Sequence, residues 1–263
     1  MVFKLKLVIV TLVLCAALNP YPAVKAEEAK IRFTPPPPDR GMPSGRRSGG
    51  ASRSGCPATE KQLTALVPTT VVKEKGKDPT LSTWESAGGL TSASSPTLWF
   101  FVPNELTKFS QDLVLQDERG NIIYKTSLKP SSTDSNIIQR ISPTVTLKPD
   151  KVYQWFFIVN CVTDTAPYVQ GWIQKITLNP SLKHQLQKAA LPEQINLYAA
   201  NGIWYDALNT LGEKLVTNPQ DVNLLSNWVS LLDSVGLSAI AYEPISKCCK
   251  TEPTKANSPT IRN

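Results

Sequence analysis

The sequence predicts an α+β protein, an antiparallel β-sandwich followed by a small C-terminal helical hairpin bundle. Three observations predict it. Short apolar runs punctuated by turn residues recur from residue 56 to residue 178 with no helical pattern between them. From Asn179 the apolar period lengthens to that of helices. The 263 residues, 41% of them hydrophobic, suffice for a real core and exclude a wholly disordered chain.

The first segment, residues 1–26, reads as a signal peptide. Lys4 and Lys6 form its basic start, Leu7 to Leu18 its apolar run, and Val24-Lys25-Ala26 a small-residue exit with cleavage after Ala26. The apolar run is shorter than the roughly 20 residues a bilayer span needs. Cleavage takes the formal charge from +7 to +4 and removes Cys15. The expected setting is secreted or periplasmic. Residues 27–55 read as a disordered Pro/Gly/Ser/Arg linker, extended at Pro35 to Pro38 and without apolar period afterwards. Arg40, Arg46, Arg47 and Arg53 there could touch an anionic surface. No aromatic residues interleave with them, which argues against nucleic acid.

The sandwich is expected over residues 56–178. Leu63 to Val67 is a short strand stopped by Pro68, and residues 73–96, rich in Gly, Ser and Thr, read as loop. Leu98 to Val102 is a strand stopped by Pro103. Leu113 to Leu115 and Ile122 to Tyr124 flank a turn containing Gly120, a hairpin signal. Ile137 to Ile141 and Val145 to Leu147 are further strands. Val152 to Val159 is apolar on both sides and is expected to be central and covered twice. Tyr168 to Leu178 alternates apolar residues with Gln170 and Gln174. The stretch Leu147 to Trp155 resembles the loop-to-strand corner of immunoglobulin-like and fibronectin-like sandwiches, with Tyr153 as the corner tyrosine that bonds back to the loop.

The helical segment is expected over residues 179–245, and residues 246–263 read as a flexible tail. Asn179-Pro180 is an N-cap and first-turn pair. Pro192 opens a second helix, Trp204 to Leu215 carry the stripe of a third, and Leu224 to Val235 that of a fourth ending at Gly236. Tyr198, Gly202, Trp204, Ala207, Leu211 and Pro219 resemble a tetratricopeptide unit, with Leu191, Ile195 and Lys214 departing from its pattern. One unit implies a helical hairpin docked on the sheets.

Candidate chemistry is sparse. The single histidine, His184, excludes sites that need two imidazoles and sits beside Lys183 on a predicted solvent-facing helix. Asp117 and Glu118 are adjacent carboxylates in the hairpin turn, and Asp112, Asp134, Asp150 and Asp164 fall in loops or at strand ends without calcium-loop spacing. No catalytic, cofactor-binding or metal residue is assigned. The mature chain keeps four cysteines, Cys56, Cys161, Cys248 and Cys249, an even count that suggests disulfides in an exported protein. Three pairings are open, and a Cys56–Cys161 bridge would close a loop of about a hundred residues. Trp84 and Trp172 are the possible ligand-binding aromatics, whereas Trp155, Trp204 and Trp228 lie on core stripes.

Five separated motifs, Pro96 to Pro103, Asp117 to Asn121, Tyr153 to Phe157, Val169 to Ile173 and Ala200 to Leu208, give the chain between Cys56 and Pro244 a further likeness. Their order resembles a cyanobacterial family of exported proteins, the domain of unknown function numbered nine-two-eight. The resemblance implies an extracytoplasmic setting and brings no activity. The expected function is a non-enzymatic binding or scaffolding module of the cell envelope, its partner an envelope protein or a glycan. The alternatives are a carbohydrate-binding protein that uses exposed Trp, and a carboxylate-based hydrolase.

Overall fold

The structure, a computed structural model, describes residues 30–36, 42–49, 56–73, 83–130, 134–161 and 166–246, together with the backbone of 251–252. The expected signal peptide, Arg40, Arg53, Asp164, Cys248 and Cys249 lie outside the described residues.

Two sheets and several helices make an α+β, sandwich-like fold. The strands in chain order are β1 (Ser48–Gly49), β2 (Leu63–Ala65), β3 (Thr69–Lys73), β4 (Thr83–Thr91) and β5 (Leu98–Val102). After the short helix α1 (Asn104–Thr107) come β6 (Gln111–Gln116), β7 (Ile122–Leu128), β8 (Ile137–Ile141), β9 (Val152–Val159) and β10 (Tyr168–Lys175). Helices α2 (Pro180–Lys188), α3 (Leu191–Ala200), α4 (Trp204–Thr217) and α5 (Val222–Asp233) follow, and Thr251–Glu252 forms β11. One sheet has the order β1-β2-β5-β8, the other β11-β7-β6-β9-β10-β4-β3. All pairings are antiparallel except β10 with β4.

The sheets meet through β5 and β9. Phe100 of β5 stacks on Phe157 at 4.2 Å and sets its edge against Trp155 at 5.6 Å. Four strands cannot cover seven, so the helices complete the core. Trp204 Nε1 donates to Leu66 O at 2.8 Å, and Trp99 of β5 packs against Trp228 of α5. Sheet and helix side chains thus share one buried cluster. Two helices start on side-chain caps. Asn179 Oδ1 accepts from Leu182 N at 2.8 Å, and Asp221 Oδ1 accepts from Asn223 N and Leu224 N.

Several expectations are corrected. The loop expected over 73–96 contains β4, the link between β10 and β3. Its sequence, TWESAGGLT, lacks an apolar run because neighbours supply the bulk. A Cβ at Gly88 (φ 151°) would lie 2.2 Å from Trp172 O, and one at Gly89 would lie 3.0 Å from Trp204 Cβ. Val145 to Leu147 is not a strand. Leu147 is buried as a loop residue, its N–H bonded to Ser94 O. Strand β9 is central but covered once. Tyr153, Trp155, Phe157 and Val159 are buried, whereas Val152, Gln154, Phe156 and Ile158 are half-buried on the outer side.

The segment expected as disordered linker is structural wherever it is described. Ile31 is 2% exposed and Phe33 packs edge-on against Trp204. Thr34 N donates to Ala199 O, Arg46 bridges Gln170, and Ser48–Gly49 pair with β2. Its apolar content is too sparse to show a period, yet two residues, Ile31 and Phe33, suffice to seat it on the helices. The tail boundary also differs from the expected one. Ile245 bridges Ile138, Ser246 N donates to Ile138 O, and the β11 backbone pairs with β7.

Candidate functional site

Three places bear on function: a cleft at the loop end of the sandwich, a buried polar cluster where α4 meets β4, and the outer face of the seven-stranded sheet.

The cleft, of about 360 Å³, lies between the β6–β7 turn, residues 145–148 and the start of β9. Ile123, Val145, Val152 and Tyr153 line it together with Asp117, Glu118, Arg119, Lys148 and Lys151. Tyr153, expected as a corner tyrosine, is here, and Lys148 N donates to its Oη at 3.0 Å. Both carboxylates are already engaged. Asp117 caps its own turn, accepting from Arg119 N, Asn121 N and Asn121 Nδ2, each at 2.9 Å. The Asn121 bonds hold its carboxyl below the usual range. Glu118 accepts from Lys151 Nζ at 3.0 Å and Val152 N at 3.3 Å, which also lowers its pKa. A general acid needs a raised pKa, and here both shifts run the other way. Asp112 accepts from Ser127 Oγ and pairs with Lys125, and His184 is exposed on α2.

The buried cluster centres on Asp206, a residue the sequence reading passed over. The residue as a whole is half-buried, but desolvation dominates at its carboxylate and pushes the pKa up. It accepts from Thr91 Oγ1 at 2.7 Å, Ser92 N at 3.0 Å and Ser92 Oγ. A cavity of about 80 Å³ adjoins it, lined also by Thr97, Tyr205 and Asn209, whose Oδ1 is buried without a partner. Next door, Trp155 Nε1 donates to Tyr205 Oη at 2.9 Å and Tyr205 Oη donates to Trp172 O at 2.8 Å. This chain ties β9, β10 and α4 together, and burial pushes the Tyr205 phenol up. The spacing Tyr205-Asp206 on an apolar helix stripe was the available signal, an acid one position off the buried face.

The sequence-predicted tryptophans part company. Trp172 is 4% exposed, and its Nε1 donates to Ser86 Oγ at 2.8 Å. Ser86 Oγ in turn donates to Pro43 O. Buried and tied through Ser86 to the N-terminal segment, Trp172 presents no open ring, so the expectation of it as a ligand platform is corrected. Trp84 lies on β4, opposite Val72, and is half-buried rather than displayed on a loop. Of the four arginines, Arg46 lies over the Tyr168 ring at 5.3 Å and Arg47 Nη1 donates to Val235 O at 2.7 Å. Burial lowers the Arg47 pKa. Arg47 is thus engaged inside the fold, whereas Arg46 remains exposed. Cys56 and Cys161 form a disulfide with Cα atoms 5.5 Å apart.

The outer sheet face carries what sequence reading treated only as polar alternation. Strand register places Phe156 opposite Val114 on β6 and Gln170 on β10. Gln154 pairs with Gln116 on one side and Trp172 on the other, and Ile158 pairs with Tyr168. Phe156, Ile158, Tyr168 and the amides of Gln116, Gln154, Gln170 and Gln174 are all half-buried. None of the four amides has a hydrogen-bond partner among the described residues.

No curated protein matches this chain. A family profile described as Domain of Unknown Function (DUF928) matches residues 48–245, which opens at β1 and closes at the Ile245 bridge. That match spans about three quarters of the sequence, and the chain belongs to this family.

Proposed function

We propose that the protein is an exported, non-enzymatic binding or scaffolding module of the cell envelope, with the outer face of the seven-stranded sheet as its contact surface. One observation carries the reading. The central strand β9 leaves Val152, Phe156 and Ile158 only half-buried on a face that neither the second sheet nor the helices use. Half-buried apolar side chains on a central strand mark a surface shaped for contact. The carboxylates support the non-enzymatic part. Asp117 and Glu118 are depressed and engaged, and Asp206 is satisfied by three donors inside the structure.

The finer architecture belongs to the same reading. The order β7-β6-β9-β10-β4 facing β2-β5-β8, with β4 parallel to β10, fits an immunoglobulin-like sandwich whose last strand is joined by a parallel N-terminal one. The Lys148–Tyr153 bond supports the corner. A tetratricopeptide-like hairpin is supported by Gly202 (φ 73°) between α3 and α4 and by buried Ala207.

Cosedimentation with isolated cell envelopes tests the function. The mature protein is expected to sediment with them and Phe156→Asp to remain in solution with an unchanged melting curve. Equal sedimentation of both proteins would falsify the assignment. Hydrolytic turnover abolished by Asp112→Asn, Asp117→Asn or His184→Ala overturns the non-enzymatic part.

A further inference from the structure

We propose that the outer sheet face binds a neutral polysaccharide, with the Phe156 ring as stacking surface and the Gln116, Gln154 and Gln170 amides as its hydrogen-bonding rim. This rests on reading that face as the contact surface, and it names the chemistry of the partner.

The geometry places the three amides around one ring. Gln170 is directly across from Phe156, Gln154 is two residues along β9, and Gln116 is opposite Gln154 on the neighbouring strand. Strand spacing and rise put all three within about 5–8 Å of the ring position. A pyranose offers an apolar C–H face ringed by hydroxyls. An aromatic ring meets the first, and amides, which both donate and accept, meet the second.

Charge selects a neutral polymer. On this face β6, β9 and β10 carry one charged side chain, Asp112, which pairs with Lys125 and accepts a hydrogen bond from Ser127. The nearest cation on the β10 side, Arg46, is engaged with Tyr168 and with Ser48 O. Among the described residues of these three strands, an acidic polymer finds no array of cations. A lipid surface or a second copy of this chain fits less well. Either would bury four amides that have no partner among the described residues, and each buried unpaired polar group is costly. A polyhydroxylated ligand instead supplies their missing partners.

Affinity gel electrophoresis of the mature, disulfide-bonded protein tests the assignment, using glucomannan, xyloglucan and dextran as neutral probes and alginate as the acidic one. At least one neutral probe is expected to retard the wild type. Phe156→Ala and Gln154→Ala/Gln170→Ala are expected to weaken binding roughly tenfold, equivalent to about 1.4 kcal/mol, with unchanged melting curves. Asp134→Asn, away from the face, should bind like wild type. Wild-type mobility unaffected by every neutral probe overturns the assignment, as do retardation by alginate alone and retardation that Phe156→Ala leaves intact. Sedimentation equilibrium adds an independent arm. A monomer is expected, and a dimer dissolved by Phe156→Asp gives the face to a second copy. If face variants abolish envelope sedimentation while no neutral probe binds, only the glycan assignment fails. If they leave envelope sedimentation intact, the contact surface itself is wrong.

Discussion

At the scale of single residues, two buried polar groups on α4 hold opposite meanings for stability. Tyr205 is a coupler, accepting from Trp155 Nε1 and donating to Trp172 O in a fully buried position. Tyr205→Phe keeps the ring but strands an indole N–H and a carbonyl. Each stranded group costs about 1–3 kcal/mol, so urea unfolding should show a loss of roughly 2–6 kcal/mol. A loss too small to measure would mean that the chain of bonds is not intact in solution. Asp206 differs because its carboxyl is pushed up chiefly by burial. A folded value above the unfolded one means that the folded protein holds the proton more tightly. Its contribution is therefore fully present below about pH 4 and is lost as pH rises through the raised value. The stability of wild type relative to Asp206→Asn should fall across that window, read as urea midpoints from pH 3 to pH 8. A difference that rises with pH contradicts the burial argument. Asp117 and Glu118 run the other way, being lowered, and their effect disappears as pH falls.

At the scale of elements, β4 shows why part of the fold was legible and part was not. Strands β5, β6 and β8 announced themselves by apolar runs, and α2 by its Asn179-Pro180 start. β4 did not, because its role is to leave space. Its glycines admit the Trp172 backbone and the Trp204 side chain, so the apolar mass that identifies a strand sits on its neighbours. Gly88→Ala should therefore act on an element and not only on a residue. Its Cβ meets backbone at 2.2 Å, and its φ of 151° is one that L side chains rarely adopt. Strain of this kind costs on the order of 1–3 kcal/mol before the clash is counted. Altered near-ultraviolet dichroism and a lowered melting temperature are expected together. A native spectrum would show that β4 and β10 can separate cheaply. The same logic explains the missed sites. Trp172 looked available because alternation marks a face but not what each side chain is bonded to, and its indole is tied through Ser86 to Pro43. The glutamines of the outer face looked like ordinary solvated polarity, since strand register, invisible in sequence, gathers them around Phe156.

At the scale of the molecule, the chain is laced from its first described segment. Residues 31–34 lie on the helices, through Ile31 in the core, Phe33 on Trp204 and the Thr34–Ala199 bond. Arg46 to Gly49 then run from the edge of β10 to β2, so one segment touches both sheets and the helices. Composition gave no hint of this, because Pro, Gly, Ser and Arg dominate and contacts distant in sequence supply the order. The Cys56–Cys161 disulfide fastens the next stretch to the end of β9, 105 residues away. In the chain-entropy account such a closure contributes about 4–5 kcal/mol. The two devices can be separated by experiment. Ile31→Ala removes a fully buried side chain and should cost roughly 2–5 kcal/mol. Starting the chain at Gly55 also discards Phe33 and the β1 ladder and should cost more, while leaving the disulfide in place. If segment and disulfide stabilise independently, reduction should lower the urea midpoint of the full-length and shortened chains by the same free energy. If reduction instead costs the shortened chain far less, the disulfide acts by holding the segment's seat. If the shortened chain is as stable as the longer one, the lacing is decoration on a sandwich that folds without it.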